Sequence, residues 1–199
     1  MDFATSVIAY MKAQGHTILC RNQVFVEDCD ENGNPVPNEF RKDRWNDRAL
    51  IIDYDAETGK AKMVHNAQAT CEPGVFYTTS RMNPEGAFRI KFGQYTAWEI
   101  GYHFKQYPAL RQCRSIRGYR DDNEDGSRIG DCEVSGNYGV DVHHGYEADT
   151  IDKDSAGCLV RRYRVAHYKA MDLIQQYPPQ DGIYTVTILP GDLVFVGRK

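Results

Sequence analysis

What most constrains this 199-residue chain is a succession of short β-rich runs, each closed by glycine, proline or asparagine. "RALIIDYD", an "ETG" turn and "KAKMVHNAQAT" read as a hairpin. "QVFVED", "GAFRIKFGQYTAWEIGYH" and "GIYTVTILPGDLVFV" continue the pattern, and "HTILC" and "PGVFYTT" are read as further strand segments. "NYGVDVHHG" alternates Tyr138, Val140 and Val142 against Gly139, Asp141 and His143, which predicts another strand. Two stretches have a different period. "FATSVIAYMKAQ" puts Phe3, Val7, Ile8 and Met11 at helical spacing before Gly15, and "RVAHYKAMDLIQQY" is helical up to Pro178 and Pro179. Asp30 to Phe40 is a loop dense in Asn, Gly and Pro, and the polar stretch from Pro108 to Gly130 is expected to be a long one. With no repeat and no boundary, residues 1–199 read as one α+β domain, mostly sheet, with a helix near each end.

Charge and cysteine usage exclude several function classes. A net charge of −4 argues against a nucleic-acid binder that neutralises phosphates. The basic cluster "RQCRSIRGYR" is followed at once by acidic "DDNEDG", and reads as a mixed-charge solvated loop. No run approaches the roughly 20 apolar residues of a membrane span. The N-terminus lacks a basic segment ahead of its short apolar run, so the chain is expected to be made in the cytoplasm without a signal peptide. Without a signal peptide the six cysteines are expected to be free thiols, and without a CxxC pair a zinc site of the usual spacing is not expected, a dispersed Cys/His set being the alternative. No metal or cofactor is assigned. Asp149 to Asp154 lacks the glycine and terminal glutamate of a calcium loop, and reads as an acidic loop over the site below.

The residues with chemistry to offer lie close together. Cys158 follows Gly157 in "SAGC", with His143 and His144 lying 15 and 14 residues upstream. Cysteine catalysis needs a base and N–H donors for an oxyanion. Gly157 lets backbone and substrate approach the thiol, and Ser155 can fix the turn by hydrogen bonding. The competing reading is structural: a lone cysteine is also a small buried hydrophobe. Trp45 is expected to anchor the core and His167 to pack within it.

"VHHG…SAGCLVRR" resembles the signature of the L,D-transpeptidase catalytic-domain family. "ATCEPGVFY" resembles that family's active-site wall segment. Glu72-Pro73-Gly74, Gly93-Gln94-Tyr95 with Trp98, and Gly101-Tyr102-His103 are similar to a looser phage and bacterial branch that acts on cell walls. The likeness spans roughly residues 45–165. It implies an L,D-transpeptidase-like mixed sheet or sandwich, and a cysteine enzyme that cleaves or transfers peptidoglycan stem-peptide bonds through a thioester. Cys158 would be the nucleophile, His143 or His144 the base, Gly157 and Cys158 the oxyanion donors, and Ser155 the residue ordering the turn. Strand alternation favours His143, and "H-G" adjacency favours His144. Arg161, Arg162, His103 and Tyr146 are the implied substrate-binding residues. Val160 stands where the family often has arginine, and Ala156 where many members have histidine. With no signal peptide expected, the reading within that family is an endolysin-like hydrolase released through a holin, or a virion component acting at the bacterial wall. The alternative is a non-catalytic phage structural or wall-binding module.

Overall fold

The computed structural model describes residues 1–194. It has the expected mostly-β α+β character, with two sheets and four helices among the described residues. The strands are β1 (Arg21–Glu27), β2 (Asp47–Tyr54), β3 (Ala61–Thr70), β4 (Ala87–Ile90), β5 (Gly93–His103), β6 (Tyr107–Gln112), β7 (Ile116–Asp121), β8 (Cys132–Gly136), β9 (Val142–His144), β10 (Leu159–Arg161) and β11 (Tyr184–Pro190). The main sheet is mixed, and it closes into a barrel in the order β1-β11-β5-β6-β9-β10-β3-β2. The parallel pairs are β1 with β11 and β9 with β10. A separate three-stranded sheet runs β4-β7-β8.

Pleat alternation sorts the side chains of the barrel wall. Phe25, Ile51, Trp98, Leu110, Val142 and Leu159 belong to one buried cluster. The alternate residues Val24, Val26, Leu50 and Ile52 face a second cluster built on helix α1 (Phe3–Ala13). That helix buries Phe3, Val7, Ile8 and Met11, is capped by Asp2 accepting from the Thr5 N–H, and stops at Gly15 with φ 71°. Helix α3 (Arg164–Gln175; α2 is given below) buries His167, Ala170, Met171 and Ile174 and ends before the two prolines. Both terminal helices match the sequence periodicity. Among the described residues no helix is long and apolar enough to cross a membrane.

Four local expectations are corrected, because a tertiary bond or burial against the rest of the fold outweighs local propensity. "HTILC" forms no strand: the Gln94 amide accepts from the Thr17 N–H and donates to the Thr17 carbonyl, both at 2.9 Å, taking the place of a ladder. "PGVFYTT" is a short helix, α2 (Val75–Thr79), whose first N–H, that of Val75, donates to Asp43 Oδ1 at 2.9 Å. The stretch read as a loop from Pro108 to Gly130 supplies most of β6 and all of β7, because the alternate residues Ile116, Gly118 and Arg120 are buried. Tyr138 to Asp141 are not strand: Gly139 turns at φ 71°, and the Gln112 Oε1 accepts from the Tyr138 and Val140 N–H groups. At the C-terminus, β11 gives way to a last turn of helix, α4 (Gly191–Val194); the rest of the strand expected there, Phe195 and Val196, lies outside the described residues. All six cysteines are free thiols, as expected.

Candidate active site

The parallel pairing of β9 with β10 sets the site's geometry. Leu159 lies beside Val142 and Val160 beside His143, so Cys158, one residue before β10, lies beside Asp141. The Leu159 N–H donates to the Asp141 carbonyl at 3.0 Å and closes the ladder at that end. By alternation, Cys158, Asp141 and His143 share one face, and His144 shares the other with Arg161. Trp45 packs with Val160, Ile151 and Cys158 behind the turn, the core anchor read from sequence.

The turn before the thiol is tightly specified. The Ser155 hydroxyl donates to the Cys158 carbonyl at 2.9 Å and accepts from the Gly157 N–H at 3.1 Å. Gly157 has φ 120°, and a Cβ there would stand 2.5 Å from the Phe88 carbonyl oxygen, so no other residue fits without movement. The segment Glu72-Pro73-Gly74 abuts this turn, with the Gly74 N–H donating to the Ser155 carbonyl at 2.9 Å. Ser155 therefore orders the turn but also occupies the Gly157 N–H expected for the oxyanion. Among the described residues, the N–H groups of Ala156 and Cys158 have no hydrogen-bond partner.

Cys158, Gly157, His143, His144, His103 and Tyr146 all line one cleft of about 490 Å³. Each histidine's tautomer follows from its partner, because a carbonyl or carboxylate oxygen only accepts. The His143 Nδ1–H donates to the His144 carbonyl at 2.8 Å, which leaves Nε2 as the acceptor. The His144 Nδ1–H donates likewise to the Gly145 carbonyl at 2.7 Å, and its Nε2 is buried without a partner among the described residues. His103 donates Nδ1–H to Asp141 Oδ2 at 2.9 Å and stacks on His143 with centroids 3.9 Å apart and planes 7° from parallel. Asp141 thus holds His103, and a backbone carbonyl orients His143.

Burial sets the protonation states. It pulls His143 down to about 3, reinforced by His103, while the bond to the His144 carbonyl and the charge of Asp141 act in the opposite direction. Burial pushes the Cys158 thiol up to about 12, although the Asp141 backbone N–H opposes this. The thiol makes a weak 3.6 Å contact to the Gly139 carbonyl. At neutral pH the resting pair is a thiol and a neutral imidazole.

Neither arginine expected to bind substrate lines the cleft. Arg161 is fully buried on the opposite face, against His167 Nδ1, the Gln23 amide oxygen and the Phe25 ring. Arg162 bonds to Gln68 and Asp149. The alternation that carries Cys158 to the cleft sends Arg161 inward. The cleft's own cations are Arg120 and Lys153. Arg120 is buried against the Phe88 and Tyr138 rings, donates to the Gly86 carbonyl at 3.2 Å, and has a buried Nε with no partner among the described residues. It lies in the basic cluster read as loop, where "IRGYRD" shows no apolar alternation, and only its burial in β7 marks it. Tyr146 is 60% exposed at the mouth, its N–H held by Asp154 Oδ2 at 2.9 Å.

Compared with known proteins, the chain matches no family model, no curated protein and no solved structure.

Proposed function

We propose that this protein is a cysteine enzyme acting on peptidoglycan stem peptides by acyl transfer through a Cys158 thioester. The observation that carries the reading is the placement of Cys158 and His143 on one face of the β9–β10 pair, in one cleft, beside a turn whose Gly157 lets the backbone pass close to Phe88. The resemblance of the same residues to the L,D-transpeptidase family supplies the substrate class. In this mechanism His143 Nε2 takes the thiol proton as sulfur attacks the acyl carbon, because a resting ion pair is disfavoured by burial at both groups. The tetrahedral oxyanion accepts from the Cys158 N–H, and the amine leaves with the proton held by the imidazole. Water then hydrolyses the thioester, or a second stem's amine takes the acyl group. His103, backed by Asp141, holds the His143 ring by stacking. Arg120 takes over from Arg161 and Arg162 as the candidate cation for a substrate carboxylate. Of the two outcomes, we favour hydrolysis by an endolysin-like or virion-associated protein.

The test is digestion of purified peptidoglycan, with released muropeptides identified by mass spectrometry beside Cys158→Ala. Release by the parent chain and none by the variant is expected; equal release by both would end the nucleophile assignment. The raised thiol and depressed imidazole favour a second reading, a non-catalytic wall-binding or phage structural module that keeps the fold. Retained wall binding with no release by either protein would select it.

A further inference from the structure

The β5–β6 hairpin carries His103 into the cleft and turns at the next two residues, Phe104 and Lys105. The Gln106 N–H donates to the His103 carbonyl at 3.0 Å and closes a four-residue turn. Both central residues have positive φ, 50° at Phe104 and 59° at Lys105. Hairpin turns of this hand favour Asn-Gly or Asp-Gly, which bear the left-handed backbone with little or no steric penalty. A bulky residue there is an outlier, and Phe104 gains little by burial, being 76% exposed. An exposed apolar side chain is ordinary by itself. One held out on a strained backbone is not, and it points to an occupant outside the chain.

The position of the ring fits an occupant of the cleft. Phe104 lies against His103 with centroids 4.0 Å apart and planes tilted by 52°. His103 stacks in turn on His143, and Asp141 anchors this middle ring through Nδ1. The column thus runs from an exposed ring at the surface to the proposed base. Tyr77 and Tyr146 line the same cleft, with Tyr146 exposed, and bring phenol hydroxyls to it. Ring faces accompanied by hydroxyls suit a pyranose, which presents one face of C–H groups and a rim of hydrogen-bonding groups. The small and charged side chains of a stem peptide offer no flat face of that kind.

We propose that Phe104, with Tyr146, forms a glycan subsite in the cleft, where a pyranose of the wall's sugar chain stacks while its stem peptide reaches Cys158. The inference rests on the peptidoglycan reading above and narrows it: the substrate is a stem still joined to its glycan. By the ring spacings, a sugar on Phe104 lies at most about 13 Å from His143, a span that about four extended residues cover.

The experiment has a binding arm and a kinetic arm. In the first, Cys158→Ala, which lacks the nucleophile, is titrated calorimetrically with a β-1,4-linked N-acetylglucosamine tetramer. One site with Kd below about 1 mM is expected, weakened about fivefold or more by adding Phe104→Asn and kept by Phe104→Trp. Asn accepts a left-handed backbone, so Phe104→Asn should not lower the melting temperature. A clear fall makes the ring structural and overturns the subsite. In the second arm, Phe104→Asn should raise KM for glycan-linked stems by a similar factor. An equal rise for stems freed of glycan makes Phe104 a peptide contact and overturns the sugar assignment. No heat with the tetramer up to about 10 mM, with muropeptide release intact and insensitive to Phe104→Asn, removes the subsite and leaves the proposed activity standing. Ring-dependent tetramer binding without muropeptide release upholds the sugar site and removes the activity.

Discussion

At Cys158 and His143, burial works against the charges that a thiolate–imidazolium pair would carry. The thiol stands at about 12 and the imidazole at about 3, so neither changes its proton across the physiological range. A pre-ionised cysteine site shows titration limbs near its working pH; this one should not. Muropeptide release is therefore expected to vary little from about pH 5 to 9, within the range that the two groups bracket. A bell centred near neutrality, with limbs assignable to Cys158 and His143 by substitution, would show that substrate binding resets both groups. The choice between His143 and His144 rests on alternation along β9, which puts only His143 on the sulfur's face.

Strand β10 and helix α3 enclose a cation that, among the described residues, has no carboxylate bonded to it. Arg161 is fully buried, its Nε lacks a partner among the described residues, and burial pulls it down to about 9. His167 donates Nε2–H to the Pro108 carbonyl at 2.8 Å, which turns its Nδ1 acceptor toward Arg161 at 3.5 Å. These neutral partners offset little of the desolvation cost. Arg161→Met, close in volume, should be neutral or stabilise the chain by about 1–3 kcal/mol in denaturant unfolding, with muropeptide release unchanged. A loss of stability, or a selective rise in KM, would restore Arg161 to a polar role. The family resemblance implied a substrate role for this arginine. The pleat decides otherwise.

Across the whole molecule, two sets of buried groups oppose each other as pH changes. His143 and His167 are held far below the ordinary histidine value, chiefly by burial, so their contribution to stability is complete above about pH 6.5 and is lost as pH falls. Glu27 and Asp28, near Glu72 at one end of the barrel, are raised to about 7, first by burial and then with neighbouring acids contributing. Their contribution is complete at acid pH and is lost as pH rises through about 7. Asp28→Asn should therefore stabilise more at pH 8 than at pH 5, with the gain levelling off above about pH 7. Melting temperatures across that range test this. Asn tolerates the φ of 51° at this position. A constant offset would mean that Asp28 titrates normally in the fold.

Some of this was legible in the amino-acid sequence because it is local. Helical period gave both terminal helices, alternation and a turn gave the β2–β3 hairpin, and "SAGC" gave a turn whose glycine only a crowded backbone requires. Barrel closure, the helical course of "PGVFYTT" and the strands within the stretch taken for loop depended on partners far along the chain. The same holds for Arg120 in the cleft and Arg161 outside it. Propensity and period fix what a segment prefers over a few residues. Which face is buried, and which charge meets which, follows only from packing against residues tens of positions away.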